Sequence, residues 1–265
     1  MRWARRYLYL FWVQLRTSLT TGMQYRWDFL VEAVMAFAFA ALSLVPLWVM
    51  QGSGRTIEGW HWAEMMVVVG LFTFLKGILD GAVNPALMAV VEHIRMGTLD
   101  FVLLKPADAQ FLVSTARFEP WKMVDVIAGA LVCSYGFRAL GRWPEPRHVA
   151  VAAVLVGASC LVLYSLWILV VSAAFWVVRL DNLAYLFMSL FDFGRWPVTI
   201  FRGFLRIVFT FVIPLALMTT YPAEALLGRL EPMTLVYALL ASLGFATAAR
   251  TVWLLSLRRY SSAGG

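Results

Sequence analysis

The sequence predicts an all-α membrane protein with six transmembrane helices, and three observations carry that expectation. Hydrophobic residues make up 62% of the 265 positions and charged residues only 14%, with a mean hydropathy of +0.78, far from the shares of a soluble domain. Residues 33–54 and 149–178 carry no charge at all, and each run is long enough for a membrane span of about 20 residues. Lys and Arg punctuate the apolar runs instead of forming a basic groove, as membrane topology requires. The formal charge of +7 therefore does not point to nucleic acid. Six spans with short connections fill residues 1–265 as a single transmembrane domain, with no separate soluble domain.

Taken in order, residues 3–25 are expected to form an interfacial helix. Trp3, Tyr7, Leu10, Phe11 and Leu15 recur at helical spacing, while Arg2, Arg5, Arg6, Tyr9 and Arg16 occupy other faces. No small-residue cleavage site follows the basic start, so the chain is expected to insert through its own first span. That span covers 29–50 with Pro46 near its far end, followed by a Gly-containing loop over 51–61. The second span, 62–83, holds Lys76 and Asp80 one turn apart, a spacing that allows an ion pair. A polar interval, 84–119, separates it from a third span at 121–140, whose first turns carry Lys122 and Asp125. The fourth span occupies 149–178.

Residues 179–206 are harder to divide, because Asp181, Asp192, Arg195, Arg202 and Arg206 interrupt the apolar runs and Pro197 ends any helix reaching it. The expectation is an interfacial or cytoplasmic segment over 182–196, leading to a fifth span at 199–219 kinked at Pro214. A short helix over 221–228 precedes the sixth span at 233–255, and Arg258 and Arg259 begin a basic tail.

With both termini cytoplasmic, sixteen Lys and Arg fall inside (Arg2, Arg5, Arg6, Arg16, Arg26, Arg95, Lys105, Arg117, Lys122, Arg179, Arg195, Arg202, Arg206, Arg250, Arg258 and Arg259) and five outside (Arg55, Arg138, Arg142, Arg147 and Arg229). This satisfies the positive-inside rule and places the 84–119 interval in the cytoplasm.

The chain contains no GxxxxGK[ST], HExxH or GxSxG, and its histidines, His61, His93 and His148, are dispersed. No nucleotide cradle, catalytic residue or metal centre is expected. Cys133 and Cys160 lie in apolar runs without CxxC spacing, as packed thiols would. The charged residues expected within spans, Lys76, Asp80 and Asp125, read first as structural pairs, Asp80 with Lys76 and Asp125 with Lys122 or a neighbouring helix. They also stand as candidates for conformational coupling, since charge at bilayer depth is costly. Gly77 and Gly81 form a GxxxG, and Ala36 with Ala40 a looser small-residue pair, spacings that let helices approach closely.

The interval between spans two and three has the strongest local pattern. Leu87, Val90, Val91 and Ile94 precede a charged middle of Glu92, His93, Arg95 and Asp100. Gly97 with Thr98 predicts a break between two short helices, and Pro106 ends the second. Such a bent, charged element suits docking into a partner's groove, or packing on its own bundle.

The pattern Ile94-Arg95-x-Gly97-Thr98-Leu99-Asp100-x-x-Leu103-Leu104-Lys105-Pro106 resembles the segment between the second and third spans of ABC-2 type permeases, particularly the small bacterial six-span family that works with a separate ATPase. The runs from Phe191 to Pro197 and from Arg206 to Pro214, the stretch Tyr221-Pro222-Ala223-Glu224-Ala225-Leu226-Leu227-Gly228, and the ending Arg258-Arg259-Tyr260-Ser261-Ser262-Ala263 are similar to that family as well.

The resemblance implies an interfacial connecting helix, a cytoplasmic coupling helix, and a short extracellular helix before the last span. It implies two permeases, identical or sister, above two ATPase subunits that hold ATP and Mg2+, in a bacterial plasma (inner) membrane. This chain itself would bind no cofactor and catalyse nothing. Glu92, Arg95, Gly97, Leu99 and Asp100 would then contact or couple to the ATPase. The exported substrate would pass along spans two and five, which carry Phe72, Phe74, Phe209 and Phe211. Aromatic lining would suit an amphipathic or lipid-like cargo, although aromatic residues in spans also serve as packing. The rival readings are an ion-coupled secondary transporter, which needs a buried acid or inverted repeats near the midplane, and a non-transporting membrane scaffold or enzyme.

Overall fold

The structure, a computed structural model, describes residues 2–22, 26–53, 56–176 and 181–260. Residues 23–25 of the expected interfacial helix, Arg55, residues 177–178 of the fourth span, Arg179, and Ser261, Ser262 and Ala263 lie outside the described residues. All regular structure among the described residues is helical, apart from an isolated bridge between Ile57 and Trp60. Five helices among them are long and apolar enough to cross a bilayer: Leu30–Gly52, Trp62–Arg95, Pro120–Leu140, Pro146–Phe175 and Pro232–Leu257.

Helix α1 (Arg2–Gly22) lies against the later part of the polar interval. Tyr7, Phe11, Gln14 and Ser18 share one face, since each is three or four residues from the next. The Tyr7 ring meets Phe111 edge-on at 4.8 Å and Phe11 meets Phe118 at 5.6 Å. Ser18 Oγ accepts the Phe118 N–H at 3.1 Å. Leu8, Trp12 and Leu19 on another face stay exposed, as on a helix in the membrane interface. Helix α2 (Arg26–Ser53) follows, with Pro46 inside it.

Helix α3 (Trp62–Ile78) starts at a capping box, in which His61 accepts from the backbone of the first turn and Glu64 reaches back to the His61 N–H. It does not stop at 83. A π-turn, Leu79–Val83, joins it to α4 (Asn84–Arg95), so the second span and the first third of the polar interval are one 34-residue helix. Pro85 explains the π-turn: it has no N–H for the carbonyl four residues back, which belongs to Gly81. That carbonyl instead accepts the Glu119 N–H at 2.7 Å, tying the end of the interval to its beginning. Two short helices follow, α5 (Asp100–Leu103) and α6 (Ala109–Ser114).

Helix α7 (Met123–Leu140) returns against α3 so closely that glycine is required at the contact. A Cβ on Gly70 would lie 2.6 Å from the Cys133 nitrogen, and one on Gly77 would lie 2.7 Å from the Val126 nitrogen. The GxxxG residue Gly77 thus faces α7, with Gly70, Gly129 and Gly136 extending the seam beyond it. Helix α8 (Pro146–Ser172) and the final α12 (Pro232–Leu257) pack on the other side, with Trp167 and Trp253 fully buried between them and the rest of the core.

The region 181–226 departs from expectation. The fifth span expected at 199–219 is instead part of a hairpin. Phe204–Val212, which contains α10 (Phe204–Ile207), and Ala216–Leu226, which contains α11 (Tyr221–Leu226), meet at a 68° bend at the expected position of Pro214. Both feet of this hairpin lie at one end of the bundle. Arg202, before the first arm, pairs with Glu58. Arg229, after the second, pairs with Glu64 at 3.2 Å and lies over the Trp60 ring at 4.6 Å.

The passage from end to end is made by the preceding residues, expected to be interfacial or cytoplasmic. Helix α9 (Asp181–Phe191) continues through 3-10 turns at Asp192–Arg195 and Val198–Ile200. Along it Phe187 meets Trp167 near the end of α8 and Phe191 meets Phe72 in mid-α3. Thr199 then accepts the Trp60 Nε1–H at 2.9 Å at the opposite end. The ladder of contacts runs the length of α3.

Candidate functional site

A chamber of about 640 Å³ opens between α2, α3, the start of α7 and the turn at 192–196. Its walls include Phe39, Pro46, Phe72 and Trp196, with Ala36 and Ala40 of α2 among them. Seven ionisable side chains line it, Glu32, Lys76, Asp80, Lys122, Asp125, Asp192 and Arg195. The expected Lys76–Asp80 pair is not the one made. Lys76 reaches across to Asp192 at 3.2 Å, because the 192–195 turn packs directly on this face of α3. Arg195 shares that carboxylate at 3.3 Å, and both cations stand over the Phe72 ring, at 5.9 and 5.4 Å. Lys122 is hydrogen-bonded to Glu32 of α2, so its partner is on a neighbouring helix and not Asp125. Among the described residues Asp80 and Asp125 have no cation within ion-pair distance, and Asp80 Oδ1 is buried without a hydrogen bond.

Asp80 and Lys122 also line a second space, a groove of about 800 Å³ beside α4. Glu92, Arg95, Arg117 and Glu119 give the groove its charge and Met88, Met96 and Met188 its apolar surface. Chamber and groove thus share a polar partition.

Below the groove the chain turns at Gly97, whose φ of +67° favours glycine. The Thr98 N–H bonds the His93 carbonyl at 2.9 Å and the Gly97 N–H the Ile94 carbonyl at 3.3 Å, the pattern of a Schellman stop. Thr98 does not cap α5; its hydroxyl shares a hydrogen bond with His93 Nδ1 at 2.8 Å. Leu99 is fully buried in the protein's own core, whereas Phe101 is 71% and Leu104 81% exposed. The turn is therefore held from inside by Leu99 and presents a bare apolar tip.

A third constellation had no signal in the sequence, because its members lie far apart in the chain. Arg250 of α12 grips Asp108 with both terminal nitrogens, at 2.6 and 3.2 Å, and donates to Gln110 Oε1 at 2.7 Å. Gln110 and Ser114 both bond the Tyr164 hydroxyl of α8, at 2.9 and 2.8 Å. The Asp108 N–H donates to Tyr7 of α1 at 3.1 Å. Residues 106–115 are thus a hub joining α1, α8 and α12. Burial works to raise the Asp108 carboxyl, but the Arg250 guanidinium and the Phe111 and Gln110 N–H groups outweigh it and hold it below its ordinary 3.8.

The intramembrane charges Lys76, Asp80 and Asp125 and the ring of Phe72 come together in the chamber. Phe74 is half-buried on the α7 side. Phe209 is buried in an aromatic cluster with Phe193 and Phe201, and Phe211 is exposed on the hairpin, so of the four phenylalanines Phe72 alone lines the chamber. Among the comparisons with known proteins, residues 37–264 match the family model described as ABC-2 family transporter protein. No curated protein and no solved structure matches the chain.

Proposed function

Given that this chain belongs to the ABC-2 family of transporter proteins, we propose that it is the membrane-spanning permease subunit of an ATP-driven exporter, working with a separate ATPase. The observation that carries the reading is the unbroken helix Trp62–Arg95. Its middle supplies Phe72, Lys76 and Asp80 to the chamber, and its end supplies Glu92 and Arg95 to the groove above the exposed turn. Whatever moves that turn moves the chamber wall.

ATP and Mg2+ would be held by two ATPase subunits below the turn, and a second permease, identical or sister, would complete the path through the membrane. In this reading Phe101 and Leu104 insert into the ATPase. Gly97 sets the angle of the turn, Leu99 anchors it from within, and Glu92, Arg95 and Asp100 govern its register. The hub at Asp108 passes the displacement on to α1 and α12. Orientation supports a cytoplasmic position for the turn. With Arg202 and Arg206 at the Glu58 end and Arg195 in the chamber, thirteen cations remain on the cytoplasmic side against seven outside. We place the protein in a bacterial plasma membrane with both termini in the cytoplasm.

The test is affinity purification of the full chain, which should bring down a P-loop ATPase, followed by the same purification of a Phe101→Asp, Leu104→Asp variant, which should lose it. Transport that persists in vesicles lacking any ATPase and follows an ion gradient would overturn the reading in favour of a secondary transporter.

A further inference from the structure

The charges and walls of the chamber point to its cargo. We infer that the chamber accepts an amphipathic organic molecule carrying one positive charge, with the carboxylates of Asp80 and Asp125 as its counter-ions. This inference rests on the permease reading above and deepens it.

Charge comes first. Lys76 and Arg195 share the single carboxylate of Asp192, and Lys122 is matched by Glu32. Asp80 and Asp125 are in no ion pair among the described residues, and Lys76 and Lys122, the cations that act on both, already have carboxylate partners. Four acidic groups against three basic ones leave the lining one negative charge in excess. A carboxylate oxygen withdrawn from water without a donor is unfavourable; Asn84 hydrogen-bonds the Asp80 carboxylate, but among the described residues no donor meets its buried Oδ1. A single cation would satisfy both requirements, whereas an anion would add to the excess.

Shape and surface give the rest. About 640 Å³ lies within the roughly 300–1,000 Å³ of pockets that hold drug-sized molecules. Phe72 already has Lys76 and Arg195 over its ring. Phe39 and Trp196 line the chamber with no cation over either ring among the described residues, and aromatic faces attract a desolvated cation. Met35, Ala36, Leu42 and Pro46 make the remaining wall apolar, so an inorganic ion or a strongly hydrated polyamine would fit it poorly.

The experiment compares two ions of the same shape and opposite sign, tetraphenylphosphonium and tetraphenylborate. Binding to the full-length chain in nanodiscs of uncharged lipid is measured, with binding to empty nanodiscs subtracted. The phosphonium should bind at least about tenfold more tightly than the borate, about 1.4 kcal/mol of preference. Asp80→Asn with Asp125→Asn should remove most of that preference, and Asp80→Glu with Asp125→Glu should keep it. Equal affinity for the two ions, tighter binding of the borate, or full retention of the preference in the Asn double variant would overturn the inference. If the Asn variant fails to fold, the wild-type comparison alone decides. Failure here leaves ATPase co-purification untouched, while failure of co-purification with a phosphonium preference intact would strike the permease reading alone.

Discussion

Placing valine at Gly70 should part the two helices on which the chamber is built. A Cβ there would sit 2.6 Å from the Cys133 nitrogen and 2.8 Å from the Gly129 oxygen, where ordinary contact begins at 3.4 Å. The Cys133 Sγ, at 2.5 Å, belongs to a side chain, but these two obstacles are backbone atoms and cannot turn aside. The helices must separate by about 0.8 Å, and a gap of that size forfeits roughly a quarter to a half of each dispersion contact along the seam. Overpacking of this kind costs about 1–3 kcal/mol, and a β-branched addition belongs at the upper end. Replacing glycine in a helix returns only a few tenths of a kcal/mol, about 0.3–0.5 for valine. The net loss is about 2 kcal/mol, or about 4–8 °C in melting temperature. The same valine at Gly157 or Gly244, which have open space around them, is the control. Thermal unfolding of the three variants in one detergent measures the difference. A Gly70→Val protein that melts within about 1 °C of the control variants would refute the close seam.

Other expectations follow from the turn and the hub. Leu99→Ala should destabilise the protein by about 2–5 kcal/mol as a core truncation, whereas Phe101→Ser on the same turn should leave the melting temperature unchanged, both read by thermal unfolding. Because the Asp108 carboxyl is held below its ordinary 3.8, its grip on Arg250 contributes stability that is fully present above that value. This contribution is lost as pH falls through the lowered one. Hydrogen-exchange protection factors across 106–115, which remove the intrinsic pH dependence of the rate, should therefore be flat between about pH 5 and 8 and fall below about pH 4, and Asp108→Asn should abolish that acid-side fall.

Uncharged runs and helix-stop chemistry were legible because they are local. Residues 33–54 and 149–178 needed only hydropathy, and Gly97 announced the turn by its position before Thr98. The fifth passage was not legible, since Asp192, Arg195 and Pro197 dilute exactly the residues that cross the bundle. The more apolar stretch after them is a hairpin fixed by Arg202–Glu58 and Arg229–Glu64, pairs that join residues far apart in the chain. Spacing on one helix also misdirected the pairing of Lys76: an i,i+4 neighbour is available in any helix, but a facing carboxylate on another element takes precedence once the fold brings it near. Leu99 shows the same limit at smaller scale. In a one-turn helix, periodicity cannot tell the inward leucine from the outward Leu104.

The unbroken Trp62–Arg95 helix has a mechanical advantage that follows from where it is gripped. The glycine seam with α7 holds it from Gly70 to Gly77, and at 1.5 Å per residue Arg95 lies about 27 Å beyond Gly77 and Asp80 only about 4.5 Å. A tilt of about 10° around that end of the seam would swing the exposed turn by about 5 Å and shift Asp80 by about 0.8 Å. The helix is thus a lever with its fulcrum set close to the load, able to trade a long stroke at the exposed turn for roughly six times the force at Asp80.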